Sequence, residues 1–206
     1  MQEIEVNGSL VRVLPVIKGL VSEGEKVHGA IAEHRPAAVA ISISKEELEG
    51  LRTYEGEEIE LSELEEAYKV GLEEFGEVQL PPPCYLETVK ACAELGIPLI
   101  PIDMEEDLFS ERYCELIGGM ELFKESFFTH RLAKKRFDLE SAASFVLDYD
   151  RKVNGGRGVS TLNAEREAHM ANATLSLAER YSCVLAIIEC ERESGVSHQL
   201  QNDRPS

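Results

Sequence analysis

Residues 160–195, STLNAEREAHMANATLSLAERYSCVLAIIECERESG, place a charged helical stretch before an apolar run and a polar turn. Ser160 or Thr161 supplies a cap for the helix, which the spacing carries to about Tyr181. Cys183 to Ile188 then reads as a buried strand ending at Glu189. A helix feeding a wholly apolar strand is the repeating unit of α/β folds with parallel sheets. Such sheets bind ligands beyond the carboxyl ends of their strands, so the charged groups around Glu189 stand where a site is expected.

Working outward, Leu10 to Ile17 (LVRVLPVI) is a second strand, with Pro15 predicting an edge or a bulge because it removes one ladder donor. A helix over about Ser22 to His34 carries Val27, Ala30 and Ile31 on one face and ends at Arg35-Pro36. Ala38 to Ile43 follows as a strand, completing a βαβ unit. Residues 55–77 hold ten glutamates against one base, Lys69, while Leu61, Leu64, Tyr68, Leu72 and Phe75 recur at helical spacing. They predict an amphipathic helix with an acidic outer face. After Pro81-Pro82-Pro83, Leu86, Val89, Lys90 and Ala93 mark a helix closed by Gly96, and Ile97 to Ile102 forms a strand ending at Asp103.

Residues 105–153 read as helical, with breaks at Gly118-Gly119 and Arg136 to Asp138, and predict a helical insertion or cap. The Gly155-Gly156-Arg157-Gly158 stretch reads as a hinge between two helices. It lacks the lysine and spacing of a phosphate-binding loop and follows no strand. The expected fold is α/β: a mostly parallel central sheet of four or more strands flanked by helices. One domain covers residues 1–195, and residues 196–206, polar and aperiodic, form a mobile tail.

The 206 residues carry a formal net charge of −18. That excess repels polyanions, so nucleic acid and anionic membranes are not expected partners. MQEIEVNGSL lacks a basic start leading into an apolar core, and no apolar run approaches the ~20 residues of a membrane span. A cytoplasmic protein is the expectation. The five cysteines show no CxxC pairing and read as reduced, mostly buried thiols. Histidines 28, 34, 130, 169 and 198 are scattered without HExxH, so no metal and no cofactor is expected. No GxSxG elbow is present. The basic run His130, Arg131, Lys134, Lys135 and Arg136 reads as balancing the acidic helix, with a subunit contact as one setting for it.

Glu165 and His169 lie one helical turn apart and can share a ligand or a proton, although charged pairs on a helix face are common and worth only about 0.3–0.5 kcal/mol. Asp103 after the third strand, and Glu189, Glu191 and Arg192 after the last, occupy one level of a parallel sheet.

With these residues in place, residues 160–195 resemble the carboxyl-terminal signature of the TraB family, which includes pheromone-shutdown, TIKI-type and GumN proteins. That signature is a helix with an acid-arginine pair and a later Met-Ala, then a buried strand leading to a GxxH turn. Glu165-Arg166, Met170-Ala171 and Val184 to Ile188 match it. VLPVIKG (13–19), EHRPAAVAISIS (33–44) and AELGIPLIPIDM (93–104) fit the same order. The resemblance implies a relation to metal-dependent proteases whose chemistry is attributed to two GxxH histidines, a glutamate and an arginine. Here Lys18 falls at the first histidine, Pro15 at its glycine, Ser42 at the glutamate and Arg192 at the second histidine. A protonated amine or guanidinium has no lone pair for a metal.

The expectation is thus a TraB-like pseudoenzyme, a non-catalytic binding or regulatory protein. Lys18, Arg166 and Arg192, if they converge, suit a small anionic ligand or a peptide. The enzymatic alternative is a peptidase-like hydrolase with Glu165 as general base and Arg166 or Arg192 stabilising developing charge. Two plainer alternatives remain: a vacated site filled by salt bridges among Lys18, Asp103, Glu165, Arg166 and Arg192, and a structural homo-oligomer built through the acidic helix, Glu55 to Glu77, or the helices after Glu105.

Overall fold

The computed structural model describes residues 1–6, 8–117 and 136–202. Five strands, β1 (Gln2–Val6), β2 (Ser9–Val16), β3 (Ala38–Ile41), β4 (Leu99–Pro101) and β5 (Cys183–Glu189), form one sheet in the order β1-β2-β5-β3-β4. β1 runs antiparallel to β2, and every other neighbouring pair is parallel. The fold is therefore α/β with a mixed, mostly parallel sheet. The helices described are α1 (Val21–His34), α2 (Lys45–Thr53), α3 (Glu63–Leu72), α4 (Pro83–Leu95), α5 (Glu106–Leu116), α6 (Ala142–Val153), α7 (Arg157–Ala178) and α8 (Cys190–Asn202).

The apolar strand β5 is central because both its faces are covered, as a continuous apolar run requires. Val184, Ala186 and Ile188 pack with Met170 and Ala171 of α7 and Val196 and Leu200 of α8. Leu185 and Ile187 pack on the other face with Val27 and Ile31 of α1 and with Ala91 of α4. Each fully buried valine, leucine, isoleucine or methionine here contributes roughly 1.5–3 kcal/mol. A third cluster lies beyond the strand ends, where Leu72, Phe145, Val146 and Tyr149 join α3 to α6. Gly71 makes that approach possible, since a Cβ there would enter the Phe145 ring.

Several boundaries differ from those predicted. β1 was not foreseen; Gly8, at φ +83°, helps the chain turn so that Val6 pairs with Ser9. Pro15 is on neither an edge strand nor a bulge. β2 is interior, and Pro15 lies past its last partner on β1, which pairs Gln2 with Val13. Lys26 then donates to the Pro15 carbonyl at 2.7 Å.

The acidic stretch is helical only over Glu63–Leu72, with a 3-10 turn at Glu73–Phe75. Its start is set by a capping box in which Ser62 and Glu65 satisfy each other's backbone amides. α2 has the same device at Ser44 and Glu47. α7 begins at Arg157 with Gly156 as cap, four residues before Thr161, and ends at Ala178.

The expected mobile tail is helical through Asn202, because Val196 and Leu200, one turn apart, are buried against the sheet. No polar loop follows β5, since Cys190 opens α8 directly. Within the expected insertion, α5 and α6 are described; His130, Arg131, Lys134 and Lys135 of the basic run lie outside the described residues. The cysteines are free, with Cys84 and Cys92 buried and Cys114 exposed. Among the described residues no helix is long and apolar enough to cross a membrane.

Candidate functional site

The parallel strands deliver their carboxyl ends to one level of the molecule, and the next residues carry the chemistry. Lys18 follows β2, Ser42 follows β3, Asp103 follows β4 and Glu189 ends β5. Lys18 is fixed by its turn. Gly19 adopts φ +105°, its carbonyl accepts from the Gln79 amide at 2.9 Å, and the Tyr68 hydroxyl donates to the Lys18 carbonyl at 3.3 Å. Ser42 is tied to β5 in both directions, donating its amide to Ile187 and accepting the Glu189 amide on Oγ at 3.3 Å.

Above this level lies a cleft of about 710 Å³, within the range that holds small organic ligands. Lys18, Tyr85, Glu189 and Glu191 contribute to its floor. Its walls come from α2, α3 and α6 and from the segment around Pro81, and Tyr54, Leu64, Tyr68 and Tyr149 give them an apolar, aromatic lining. The Tyr149 hydroxyl donates to the Leu64 carbonyl at 2.6 Å and joins two walls.

Glu189 is the electrostatic centre, with only 4% of its surface exposed. Lys18 Nζ reaches Glu189 Oε1 at 3.1 Å and Glu191 Oε1 at 3.7 Å. Burial by itself would push the Glu189 carboxyl up, but Lys18, then Arg166 and Arg192, outweigh it and hold the group below its ordinary value. Burial likewise opposes the Lys18 charge, and the two carboxylates overcome it, so its pKa is raised. Glu189 Oε2 nevertheless has no hydrogen-bond partner, and neither has the hydroxyl of Tyr85 in α4.

The other candidates divide among separate pairs. Arg166 bonds Asp103, with Nε at 3.1 Å from Oδ2 and Nη2 also on Oδ2, while Asp103 Oδ1 accepts the Met104 amide at 2.8 Å. The guanidinium lies 5.8 Å from the Phe109 ring centroid and lines a second hollow of about 290 Å³, beside the main cleft. Arg192, almost fully buried, bonds Asp150 and, at 3.1 Å, Glu167. Gly195 leaves the room for this, because a Cβ there would collide with the Glu167 carboxylate.

Glu165 sits farther out, and Arg112 grips both its oxygens at 2.7 and 2.8 Å. Those bonds hold the Glu165 carboxyl below its ordinary value. Of the five sequence candidates, Lys18 alone lines the large cleft; Arg166 lines the smaller hollow, and Asp103, Glu165 and Arg192 line neither.

Three bases therefore surround Glu189, yet each already has an acid of its own. The arrangement supplies no unneutralised cation for an anion among these residues. It also supplies little for a general base, since Glu165 is occupied by Arg112 and Glu189 by Lys18. Among the described residues no three His, Cys, Asp or Glu side chains converge as a metal-ligand set.

Sequence reasoning placed Glu189 at a strand end but left its centrality unread. The signal was available in a carboxylate closing six apolar or cysteine residues. Tyr85, Arg112, Asp150 and Glu167 carried no such signal, because what they touch is distant in sequence. No family model matches this chain, and no curated protein matches it.

Proposed function

We propose that this chain is a non-catalytic binding protein of TraB-like ancestry, in which the cleft above Glu189 receives a small molecule. One observation carries the reading. The ionic groups at the strand ends are engaged in internal pairs, whereas the cleft above them is open and walled by aromatic and aliphatic side chains. A hydrolytic centre needs a base or nucleophile held ready for substrate. A binding site needs an apolar enclosure with a few polar groups to orient the guest. The second requirement is the one this geometry meets. Lys18 and Arg192, at the positions where the resemblance implies histidines, cannot act as metal ligands while protonated.

The test is a fragment screen by ligand-observed NMR on the purified chain, repeated with Gly50→Trp. Gly50 lines the cleft, and a Cβ there meets nothing within 4 Å, so a bulky side chain can be introduced at the cleft without disturbing the core. Fragments that bind the parent, lose binding to Gly50→Trp and remain chemically unchanged support the reading. Peptide hydrolysis abolished by Glu165→Gln, with stoichiometric zinc or manganese in the purified protein, would overturn it.

A further inference from the structure

The charge of the guest can be argued from the lining of the cleft, given the binding reading above. Five carboxylates line it, Glu47, Glu65, Asp150, Glu189 and Glu191, against two amines, Lys18 and Lys69. These acids fall into two sets. Toward the floor, Lys18 serves both Glu189 and Glu191, and Asp150 holds Arg192. Glu47 of α2 and Glu65 of α3 lie on exposed residues of the walls, and among the described residues neither is in an ion pair.

What Glu47 and Glu65 do hold is the start of their own helices. Oε2 of each accepts a backbone amide, from Ser44 and from Ser62, at 2.8 Å, and Oε2 of Glu65 also accepts the Ser62 hydroxyl at 2.7 Å. A helix N-terminus offsets roughly half a charge, so both groups remain net negative. The nearby bases are spent elsewhere. Lys69, one turn after Glu65, reaches Glu73 at 4.0 Å. Arg166 bonds Asp103, and it feels Glu47 only behind Asp103 and Glu189. The charge of Glu65 does act on the cleft wall, where burial first and then Glu65 push the Tyr149 phenol up to about 12.

The charge layout is therefore polarised. The bases lie at and behind the floor, each holding an acid, and the unpaired carboxylates lie on the exposed walls. An anionic guest would enter past Glu47 and Glu65 and find no open base. An ammonium that stopped at these exposed residues would keep part of its hydration, so its desolvation cost would be small, and it would lie away from Lys18. Tyrosine faces attract cations, and a cleft lined mainly by one sign of charge concentrates the opposite sign.

We infer that the cleft takes an organic cation, an amine on an apolar body, with the body against Tyr54, Tyr68 and Tyr149 and the ammonium on the exposed carboxylates Glu47 and Glu65. One carboxylate within reach of the nitrogen suffices. This reverses the anionic guest expected from Lys18, Arg166 and Arg192, because each of those cations already holds an acid.

A matched series on one body tests the inference: 4-phenylbutylamine, 4-phenylbutanol and 4-phenylbutanoate, titrated calorimetrically into the full chain at pH 7. The amine is expected to bind about fivefold tighter than the alcohol, and the alcohol tighter than the acid. That advantage should shrink as salt rises from about 50 to about 500 mM, because exposed charges are screened. In the double variant Glu47→Gln, Glu65→Gln, glutamine keeps both capping boxes and removes the two charges, while the rest of the chain's negative charge stays. Amine and alcohol should then bind within about twofold of each other. Circular dichroism checks that the variant is folded, and the salt comparison on the parent stands without it. Alcohol or acid binding as tightly as the amine would overturn the inference. So would an amine advantage that ignores salt, or one that persists in the double variant and so belongs to the overall charge of the chain. Those failures leave the binding reading standing if Gly50→Trp abolishes binding of the probes. Binding that survives in Gly50→Trp, or no binding by any of the three, defeats the cleft itself.

Discussion

The floor and the wall of the cleft are built on opposite principles. Below the cleft is a layer of ion pairs at the strand ends, where Lys18–Glu189 lines the floor and Arg166–Asp103 stands beside it, outside the lining of the cleft. The wall, where Tyr68 and Tyr149 line the cleft, is backed by an aromatic cluster in which Phe145, fully buried, has Tyr68, Phe75, Phe137 and Tyr149 at centroid distances of 5.6–6.2 Å. Ion pairs specify geometry but return little net stability once desolvation is counted. Aromatic burial returns stability and tolerates varied guests. The contrast teaches that rigidity at the floor and stability at the wall come from different residues.

The largest effect expected on this contrast is at the wall. Phe145→Ala should cost about 3–5 kcal/mol in chemical denaturation, and a loss below about 1 kcal/mol would erase the distinction. Next is the ion-pair layer. Asp103→Ala strands Arg166 and should cost about 2–4 kcal/mol, below the figure for a wholly buried pair because the arginine side chain keeps 22% exposure. Glu165→Gln removes the outer pair with Arg112 and should cost less than Asp103→Ala, because both of its side chains are about one-third exposed. A larger loss at Glu165 than at Asp103 would reverse the order of burial that separates these two pairs.

A further effect is in acid, and it sharpens the comparison because each region holds a depressed carboxyl. At the wall, Asp148 is held at about 2, by Lys152 foremost and then Arg151. At the floor, Glu189 is held below its ordinary value by Lys18, Arg166 and Arg192 against the opposing effect of burial. A depressed folded-state pKa gives stability that is present above the unfolded value and lost as pH falls through the folded one. For Asp148 that window runs from ~3.9 down to about 2. Urea midpoints of Asp148→Asn should therefore lie below those of the parent at pH 7 and converge with them near pH 2. Curves that stay parallel would show that the carboxylate contributes no linked stability.

Much of the scaffold was legible. Cys183 to Ile188 read as a buried strand, α1 was placed within one residue at its start, and Gly96 closes α4 in the left-handed conformation expected of it. The β1 hairpin was missed although Asn7-Gly8 is a strong turn dipeptide. The tail was misread because Val196 and Leu200 are two apolar residues among polar ones, too few to show a period until the sheet is there to bury them. At the site, Arg166 and Asp103 were both named and do meet, whereas the partners of Glu165 and Arg192 were not foreseen. Arg112 is 53 residues from Glu165, and Asp150 is 42 residues before Arg192.

The sequence by itself determined the apolar runs, the helix faces between them and the presence of charged residues at strand ends, because these depend on local periodicity and on burial of one face. Only the tertiary structure decided that the last strand enters between β2 and β3, bringing Glu189 to the middle of the sheet. It also decided which acid meets which base. Ion pairing acts over a few ångströms and is set by desolvation in the folded chain, so residues distant in sequence acquire partners, and Glu189 Oε2 and the Tyr85 hydroxyl are left without them, only when the chain is closed.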